Sequence, residues 1–508
     1  MVLASFSELT VGTGIGAEPM ADSVEGAHRG PAGTPGVTSQ SRRWLTLVLL
    51  CFVQFMLTVD DTIVNVALPS IRRDLNFGVT GLAWVADAYW LVFGGFLLLG
   101  GRLGDLLGRR RLLMCGLTVF TIASLADGLA RDPSTLVVSR GVQGLGAALV
   151  SPAALALIAM MFTEPAERAK AMGLWGGIAG MGGALGVLLG GAFTDLLSWR
   201  WIFFINVPVG VAVIALLPRM VRRDAPGGAR RFDLRGAVAV TGGLLALVYA
   251  ILGAHTRGWG SALTVGLLVA AVLALAGFVL IERRHPTPMI PPRFFREPAT
   301  RVANVLGLIT PSAFAGMFFL LTLYLQAVLD YSPLRTGVAY LTLVAAMLIA
   351  IPLASARLLP NWGARPLLAA GLAIIAVGLL TLTRLPVRGD YWADVAPGLA
   401  LVGFGAGWAF LSVTIAAVAK VSPAETGLAS GMINAAQQVG GAVALAVYVS
   451  VASAVAEHAV RAGADPITAR VAGYQSAFFV GAGIALVGAA IAAVGLRGLG
   501  TRRSASQH

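Results

Sequence analysis

Charged residues are scarce in this chain. Asp, Glu, Lys and Arg make up 12% of its 508 residues, whereas ordinary soluble domains carry roughly 25%. Hydrophobic residues make up 57%, and the mean hydropathy is +0.82. Apolar segments of about 20 residues, the length needed to cross the hydrocarbon core of a bilayer, recur along the sequence. A β-barrel would instead show alternating segments of about ten residues, so the sequence predicts an all-α integral membrane protein.

Cysteine and histidine are also rare, with two and five residues respectively. Cys51 and Cys115 lie inside apolar runs, which indicates packing rather than a disulfide or a metal site. His255, His285 and His458 lie far apart in the sequence, and no P-loop motif of the form GxxxxGKS/T is present. The sequence therefore indicates no metal site, no cofactor and no ATP-driven pump. A membrane-embedded enzyme, one alternative class, would need a nucleophile or metal cluster that the sequence does not display.

The apolar segments predict fourteen transmembrane helices, arranged as two six-helix bundles with an inserted helix pair between them. The predicted spans are 45–68, 82–100, 112–129, 136–160, 171–193, 201–218, 236–254, 263–281, 302–327, 336–356, 366–383, 395–417, 428–455 and 474–496. The predicted domains are a disordered cytoplasmic tail (1–43), an N-terminal bundle (44–218), a linker with two additional transmembrane helices (219–299), a C-terminal bundle (300–496) and a second cytoplasmic tail (497–508). Transporters built from repeats commonly bind their ligand between the two halves, near the midplane.

The distribution of basic residues predicts the topology. With the N-terminus inside, the inner loops and tails hold 26 Lys and Arg residues, the outer loops hold 10, and Arg140 lies within a span. This bias places both termini in the cytoplasm of a multi-pass protein in the cell membrane. The net charge of +13 is then explained by the inner loops, and no nucleic-acid partner is expected. The expected partners are a small-molecule substrate, protons and the lipid bilayer, and the protein is expected to act as a monomer.

Two neighbouring acids interrupt the first span, in the stretch VDDTIVNVALP (59–69). Asp60 and Asp61 project about 100° apart on a helix, so they cannot serve one identical site. A carboxyl group in apolar surroundings tends to hold its proton, so it can bind a proton from outside and release it inside. If a cationic drug displaces that proton, competition for one carboxylate gives antiport. The alternative is a water-exposed pair near the outer interface, because Pro69 follows closely.

Two further segments combine charge with glycine. GRLGDLLGRRRLL (101–113) joins spans two and three on the inside, where glycines allow a tight turn and charges can contact neighbouring helix ends. A positive-inside signal is the simpler interpretation. The candidate residues of this gating loop are Gly101, Asp105, Gly108, Arg109 and Arg110.

The fourth span contains LVVSRGVQGLGAA (136–148), and an arginine inside a membrane span is a functional hypothesis by default. The alternative is that Arg140 reaches out to an interface. The fifth span, GLWGGIAGMGGALGVLLGGAF (173–193), presents glycine every four residues and predicts close packing against another helix. Its candidate packing residues are Gly173, Gly182, Gly186, Gly190 and Gly191.

Aromatic and polar residues suggest where a substrate could bind. Asp87, in WVADAYW (84–90), is flanked by Trp84 and Tyr89, and ionic and cation–π contacts there could receive a lipophilic cation. An interfacial location is an equal alternative. Tyr324 and Gln326 are candidate cavity residues of the second half, with packing in a buried network as the alternative.

These motifs resemble those of the major facilitator superfamily. The loop at 101–113 is similar to the inner-loop signature of that family, with Leu106 in place of a usual arginine, and the resemblance implies a gate latch. The segment around Arg140 resembles the fourth-helix motif, in which the arginine is linked to proton coupling. The fifth span is similar to the antiporter motif, with Val187 in place of its proline.

One branch of the superfamily is the most similar. VDDTIVNVALP, WRWIFFINVPVG (199–210), the two extra spans and GLASGMINAAQQVGGA (427–442) resemble the fourteen-helix drug:proton antiporters. Asp60 matches the acid of the first-span signature, and Asp61 falls at a variable position. The candidate proton-coupling residues are Asp60, Asp61 and Arg140. The resemblance covers 44–496 and implies proton-coupled export of lipophilic drugs or antibiotics, cationic ones included, by alternating access. Export of a native metabolite, siderophore or lipid on the same fold is the alternative.

Overall fold

The structure is a computed structural model, and it describes residues 40–221, 233–285, 298–418 and 426–495. Within these ranges the chain forms helices and no strands, as the sequence predicts. The second predicted tail (497–508), most of the first (1–43), and the linker stretches 222–232 and 286–297 lie outside the described residues.

The N-terminal part of the described chain contains seven helices. They are α1 (Gln40–Leu75), α2 (Val79–Leu107), α3 (Arg109–Leu129), α4 (Pro133–Met161), α5 (Pro165–Leu196), α6 (Trp201–Phe204) and α7 (Asn206–Met220). The helices α6 and α7 follow each other closely and together form the sixth predicted span. Asp132 caps α4, because its carboxylate accepts a hydrogen bond from the amide of Thr135 at 2.9 Å.

The inserted pair and the C-terminal part follow. The helices are α8 (Leu234–Arg257), α9 (Ala262–Arg284), α10 (Pro298–Ser312), α11 (Ala315–Ala327), α12 (Pro333–Leu353), α13 (Leu359–Trp362), α14 (Ala364–Leu382), α15 (Ala396–Val418), α16 (Thr426–Arg461) and α17 (Pro466–Gly495). Wider π-helical turns occur at Ala354–Leu358 and Tyr391–Val395.

Among the described residues, eleven helices are long and apolar enough to cross a membrane. Three shorter apolar stretches lie in α2, α5 and α8, at Gly81–Leu97, Met181–Leu196 and Arg235–Ile251. The eleven helices and the three stretches each fall on one of the predicted spans, and the count of fourteen remains a prediction. Helix α9 illustrates the membrane setting, since its most apolar window has a hydropathy of 2.7 yet is only 11% buried within the protein. A surface this apolar requires lipid rather than water around it.

Helix contacts divide the described chain into two groups of helices. The boundary between the groups, where α2 meets α16 and α5 meets α12, is called the seam. In the N-terminal part α4 packs against α2 and α3, and in the C-terminal part α14 packs against α15 and α17. The two parts meet where α2 contacts α16 and where α5 contacts α12. Helix α8 packs against α9 and also touches both α2 and α16. The inserted pair therefore lies beside the seam.

The ninth predicted span is broken between α10 and α11. Pro311 lies in the last turn of α10 and has no amide hydrogen for the helical ladder. The carbonyl of Ala313, at the break, accepts a hydrogen bond from the hydroxyl of Tyr448 at 2.5 Å. A Cβ atom at Gly316 or Gly481 would overlap the Tyr448 side chain. Gly316 on α11 and Gly481 on α17 thus leave the space that Tyr448 occupies beside the break.

Candidate functional site

Asp60 of α1 lies at the centre of a buried polar network. Its Oδ2 atom is 2.8 Å from the Nη1 atom of Arg140 on α4, and the two side chains are 0% and 1% exposed respectively. Both members of the pair are therefore withdrawn from solvent. Of the two arrangements that the sequence allowed, the buried one is observed for Asp60, and Arg140 does not extend to an interface.

The second carboxylate oxygen of Asp60 is held by two amide groups. Gln143 donates to Oδ1 at 2.8 Å and Asn206 of α7 donates to it at 2.7 Å. Gln143 also donates to the hydroxyl of Ser124 on α3 at 2.8 Å. The acid accepts hydrogen bonds from one charged and two neutral donors, so both of its buried oxygens have partners.

The guanidinium of Arg140 is fixed on several sides. Its Nε atom donates to the carbonyl of Val85 on α2 at 2.9 Å, and its Nη1 atom donates to Oε1 of Gln143 at 2.5 Å. Its central carbon lies 4.4 Å from the centre of the Tyr89 ring and 5.6 Å from that of Phe203. These distances are typical of cation–π contacts. Asp60 and Arg140 are therefore in contact with α2, α4, α6 and α7 through hydrogen bonds and ring contacts.

Asp61 leaves the same helix in another direction. Its Oδ1 atom accepts a hydrogen bond from the indole of Trp90 on α2, and the residue is partly exposed. The Trp90 ring faces α16, since a Cβ atom on Gly441 would lie 3.6 Å from its Cε3 atom. The two acids thus contact different parts of the protein. Asp60 faces the interior of the N-terminal helices, and Asp61 faces the seam.

Asp87 is fully buried in α2, and neither of its carboxylate oxygens has a hydrogen-bond partner among the described residues. The structure does not gather the predicted aromatic residues around it. Trp84 packs against Tyr249 of α8, with ring centres 5.8 Å apart, and Tyr89 lies over Arg140. The side chains of Trp84, Asp87 and Tyr89, which were expected to form one cation-binding site, therefore point in three different directions. The reason is helical: residues 84, 87 and 89 project at different angles.

Sequence reasoning missed three members of this region. Asp127 of α3, which is not among the candidate residues from the sequence, is fully buried and accepts a hydrogen bond from Ser139 at 2.5 Å. The rarity of acids inside membrane spans was the signal that could have singled it out. Asn206 and Ser124 carried no comparable signal, because amides and hydroxyls are common in spans as packing groups.

The loop between α2 and α3 turns at Gly108, whose φ of 91° favours glycine. Its amide donates to the carbonyl of Gly104 at 3.1 Å and closes α2. The guanidinium of Arg109 contacts the sulfur of Met160 on α4, and a Cβ atom on Gly101 would lie 3.9 Å from the Pro152 side chain of the same helix. Arg110 is the second residue of α3. The side chain of Asp105 lies outside the described residues.

The glycines of α5 lie against two helices. Gly182 faces Thr58 of α1, where a Cβ atom would be 3.0 Å from Thr58 Cβ, and Gly186 and Gly190 face the next turns of α1. Gly191 faces α12 across the seam, where a Cβ atom would lie 2.6 Å from the carbonyl oxygen of Pro333. The backbones approach too closely there for larger residues. Gly173 lies in the same helix, and its surroundings fall outside the described residues.

Comparisons with known proteins identify the family. A sequence profile of the Major Facilitator Superfamily matches residues 50–445. The chain belongs to this superfamily. Members of the superfamily are transporters, so this protein is a multi-pass membrane transporter of small molecules and not an enzyme.

Two relatives of this superfamily member have names that refer to antibiotics. The puromycin resistance protein pur8 of Streptomyces alboniger is 43% identical over 463 residues, which cover 89% of this chain and 91% of that protein. The cephamycin export protein CmcT of Amycolatopsis lactamdurans is 38% identical over 426 residues, or 83% of this chain and 88% of that protein. A crystal structure of the POT family transporter PepTSo superposes with a TM-score of 0.68 at 15% identity, covering 91% of this chain and 99% of that one.

The two remaining candidate residues of the transporter, Tyr324 and Gln326, lie in the C-terminal part. Gln326 donates a hydrogen bond from Nε2 to the carbonyl of Val66 on α1 at 2.8 Å, so it joins the two halves of this superfamily member. Tyr324 is buried, and its hydroxyl donates to the carbonyl of Pro386 at 2.7 Å within the C-terminal half. Gln326 therefore lies at the seam. Tyr324 is part of a buried packing network, which was the alternative to a cavity position in the sequence analysis.

Proposed function

We propose that this transporter exports drugs or antibiotics across the cytoplasmic membrane in exchange for protons, by alternating access of its two halves. The observation that carries the proposal is the buried Asp60–Arg140 pair, with Gln143 and Asn206 completing the carboxylate shell. The names of the relatives, which include a puromycin resistance protein and a cephamycin export protein, support drug export as the task. Export of a native metabolite, siderophore or lipid remains the second candidate on the same fold.

The chemistry of coupling follows from the pair. Arg140 keeps its charge because guanidinium groups do not lose a proton under these conditions. When a proton binds to Asp60, the ion pair is dissolved and one buried positive charge is left without its counter-ion. That state is costly, so the helices carrying Val85, Gln143 and Asn206 must rearrange. Release of the proton restores the pair. Asp60 thereby converts proton binding into movement of the N-terminal half.

The substrate side of the exchange is assigned to Asp61 and Trp90. Asp61 is partly exposed and faces the seam, so a bound molecule between the halves can reach it. An acid beside an indole ring suits a lipophilic cation. Asp87 is a second candidate for the transported proton, since a buried carboxyl group without partners is stable when it is neutral or meets a cation.

The closed side of the seam supports alternating access. Gln326 contacts Val66, and Gly191 contacts Pro333 across α5 and α12. With both termini in the cytoplasm, these contacts lie towards the extracellular ends of their helices. Contacts of this kind must open for release to the outside, and they would reform when the transporter faces inward again. We further propose that the monomer is the transporting unit, in contact with the lipid bilayer.

The deciding experiment uses purified protein in proteoliposomes with an imposed pH gradient. A panel of lipophilic cations, aromatic antibiotics and native metabolites is tested for gradient-dependent transport, with and without an uncoupler. Asp60→Asn is expected to abolish gradient-driven transport. Asp132→Asn is the matched control, because Asp132 is exposed, hydrogen bonds from Thr135 lower the pKa of its carboxyl, and asparagine can still cap α4.

Three outcomes would count against the proposal. Transport that continues at full rate under the uncoupler rejects proton antiport. Unchanged transport by Asp60→Asn removes this acid from coupling. Movement of metabolites but of no drug in the panel favours the second candidate.

A further inference from the structure

A cavity of about 610 Å³ lies between the end of α1 and the helices α11, α16 and α17. Its rim includes Arg72, Arg461 and Arg470, together with Glu457. Under the topology proposed above, all four residues stand at the extracellular ends of their helices. We propose that this cavity binds an anionic group, a carboxylate or a phosphate, that is attached to an apolar body. The proposal rests on the proposed function for its place outside the closed seam.

The charge of the rim is the first argument. Three arginines and one glutamate leave a net positive charge however they pair, and Arg461 lies 3.7 Å from Glu457. Outer segments hold only 10 of the 37 basic residues, yet three of those ten line one cavity. Arginine recognises carboxylate and phosphate groups through two parallel hydrogen bonds.

Helix dipoles account for only part of this charge. Arg72 and Arg461 lie in the last turns of α1 and α16, where a cation is favoured at the negative end of the helix. Arg470 is different, because it lies near the start of α17, at the positive end. A cation gains nothing from the dipole there. An anionic ligand would account for its place on the rim, which the helix dipole does not.

The floor of the cavity is the second argument. Leu320, Val449 and Ala469 are each at most 1% exposed and form apolar walls below the arginines. A volume of about 610 Å³ lies within the range for drug-sized ligands. An apolar base under a cationic rim fits an amphiphilic anion better than a free ion. The arginine rim also has the opposite charge to Asp61 and Asp87, so the cavity is distinct from the site proposed for cations.

Two sources could supply this chemistry: the headgroup of an anionic phospholipid, or an amphiphilic anion in solution, including an exported one. The test uses the full chain in phosphatidylcholine nanodiscs and the fluorescent probe dansyl-undecanoic acid, with the signal from empty nanodiscs subtracted. Dodecyl phosphate should displace the probe, and dodecyltrimethylammonium should not. The double variant Arg461→Gln/Arg470→Gln should weaken probe binding by roughly tenfold or more, as expected for the loss of hydrogen bonds to a charged group. Arg384→Gln, an exposed arginine outside the cavity, is the control and should bind like the native protein.

The lipid source is tested by replacing part of the phosphatidylcholine with phosphatidylglycerol. Weaker probe binding in the native protein, but not in the double variant, assigns the site to a lipid headgroup. No effect of the lipid, with displacement by dodecyl phosphate retained, assigns it to an amphiphile in solution. Equal probe binding by the native protein and the double variant overturns the proposal, as does equal displacement by the cationic competitor. Gradient-driven transport is measured on the same samples: transport without probe binding refutes this site alone, and probe binding without transport refutes the proposed function alone.

Discussion

Asp60 and Asp61 are adjacent in the chain, but their carboxylates bond to different helices. Asp60 pairs with Arg140 of α4, and Asp61 accepts from Trp90 of α2. A single turn of α1 thereby presents one acid to the core of the N-terminal half and another to the seam. In the proposed exchange, this separation lets the proton and the substrate act on different groups that are connected by one helix.

The first prediction concerns the stability of the buried pair. Asp60→Asn leaves Arg140 as an uncompensated buried charge, and removing one partner of such a pair typically costs about 3–5 kcal/mol. The double variant Asp60→Asn/Arg140→Gln removes both charges and should regain much of that stability while remaining inactive in gradient-driven transport. Thermal unfolding in detergent, measured beside transport, checks this. Equal melting temperatures for the single and double variants would contradict the pairing.

The second prediction separates the two acids by function. Asp61→Asn keeps an oxygen that can accept from Trp90 but removes the negative charge. The variant should transport neutral substrates at the native rate and cationic ones with a KM raised roughly tenfold, the size expected for one charge-assisted contact. Initial transport rates over a range of substrate concentrations give the comparison. An equal change for neutral and cationic substrates would show that Asp61 does not read substrate charge.

The third prediction concerns the packing of α5 on α1. A Cβ atom on Gly190 would overlap the backbone carbonyl of Ile63, whereas one on Gly183 would lie 4.0 Å from Thr58. Gly190→Ala should therefore push the helices apart, lowering the melting temperature and transport. Gly183→Ala on the same helix is the control and should resemble the native protein or be slightly more stable, because alanine favours helix. Comparable losses in both variants would indicate a general sensitivity of α5 rather than this contact.

The fourth prediction addresses the broken ninth span. Tyr448→Phe keeps the ring between Gly316 and Gly481 but leaves the carbonyl of Ala313 without its donor. An unsatisfied buried acceptor costs about 1–3 kcal/mol, so the melting temperature should fall and the break should become more mobile. Hydrogen exchange of the α10–α11 segment, followed by mass spectrometry, measures this. Tyr249→Phe, at a half-exposed ring on α8, provides the control, and identical exchange in both variants would refute the role of the hydroxyl.

Much of the architecture is visible in the sequence because bilayers impose simple rules. Apolar length predicts the helices, and the cost of charge in lipid singles out Asp60 and Arg140. Glycine spacing predicts that α5 packs closely on a neighbouring helix. What these rules do not supply is the identity of the partner, since periodicity fixes the direction of a side chain relative to its own helix alone.

The unpredicted features are therefore contacts between distant segments. Asn206 lies 146 positions after Asp60, and nothing in its local sequence marks it as a partner. Tyr448 reaches Ala313 over 135 positions, and the apolar pattern predicted one unbroken span at 302–327. Asp87 shows the opposite error. Its aromatic neighbours in the sequence suggested one cluster, but the helix turns their side chains away from it.

Helix α8 restricts how the two halves can move. Thr241 donates a hydrogen bond to the carbonyl of Gly95 on α2 at 2.9 Å, and the carbonyl of Ile251 accepts one from Ser450 of α16 at 3.4 Å. One helix is thus bonded to both sides of the boundary along which the proposed alternating access would take place. If the halves turn against each other as proposed, we expect the longer bond to break before the shorter one. The inserted pair would then move with the N-terminal half, and its surface would slide over α16.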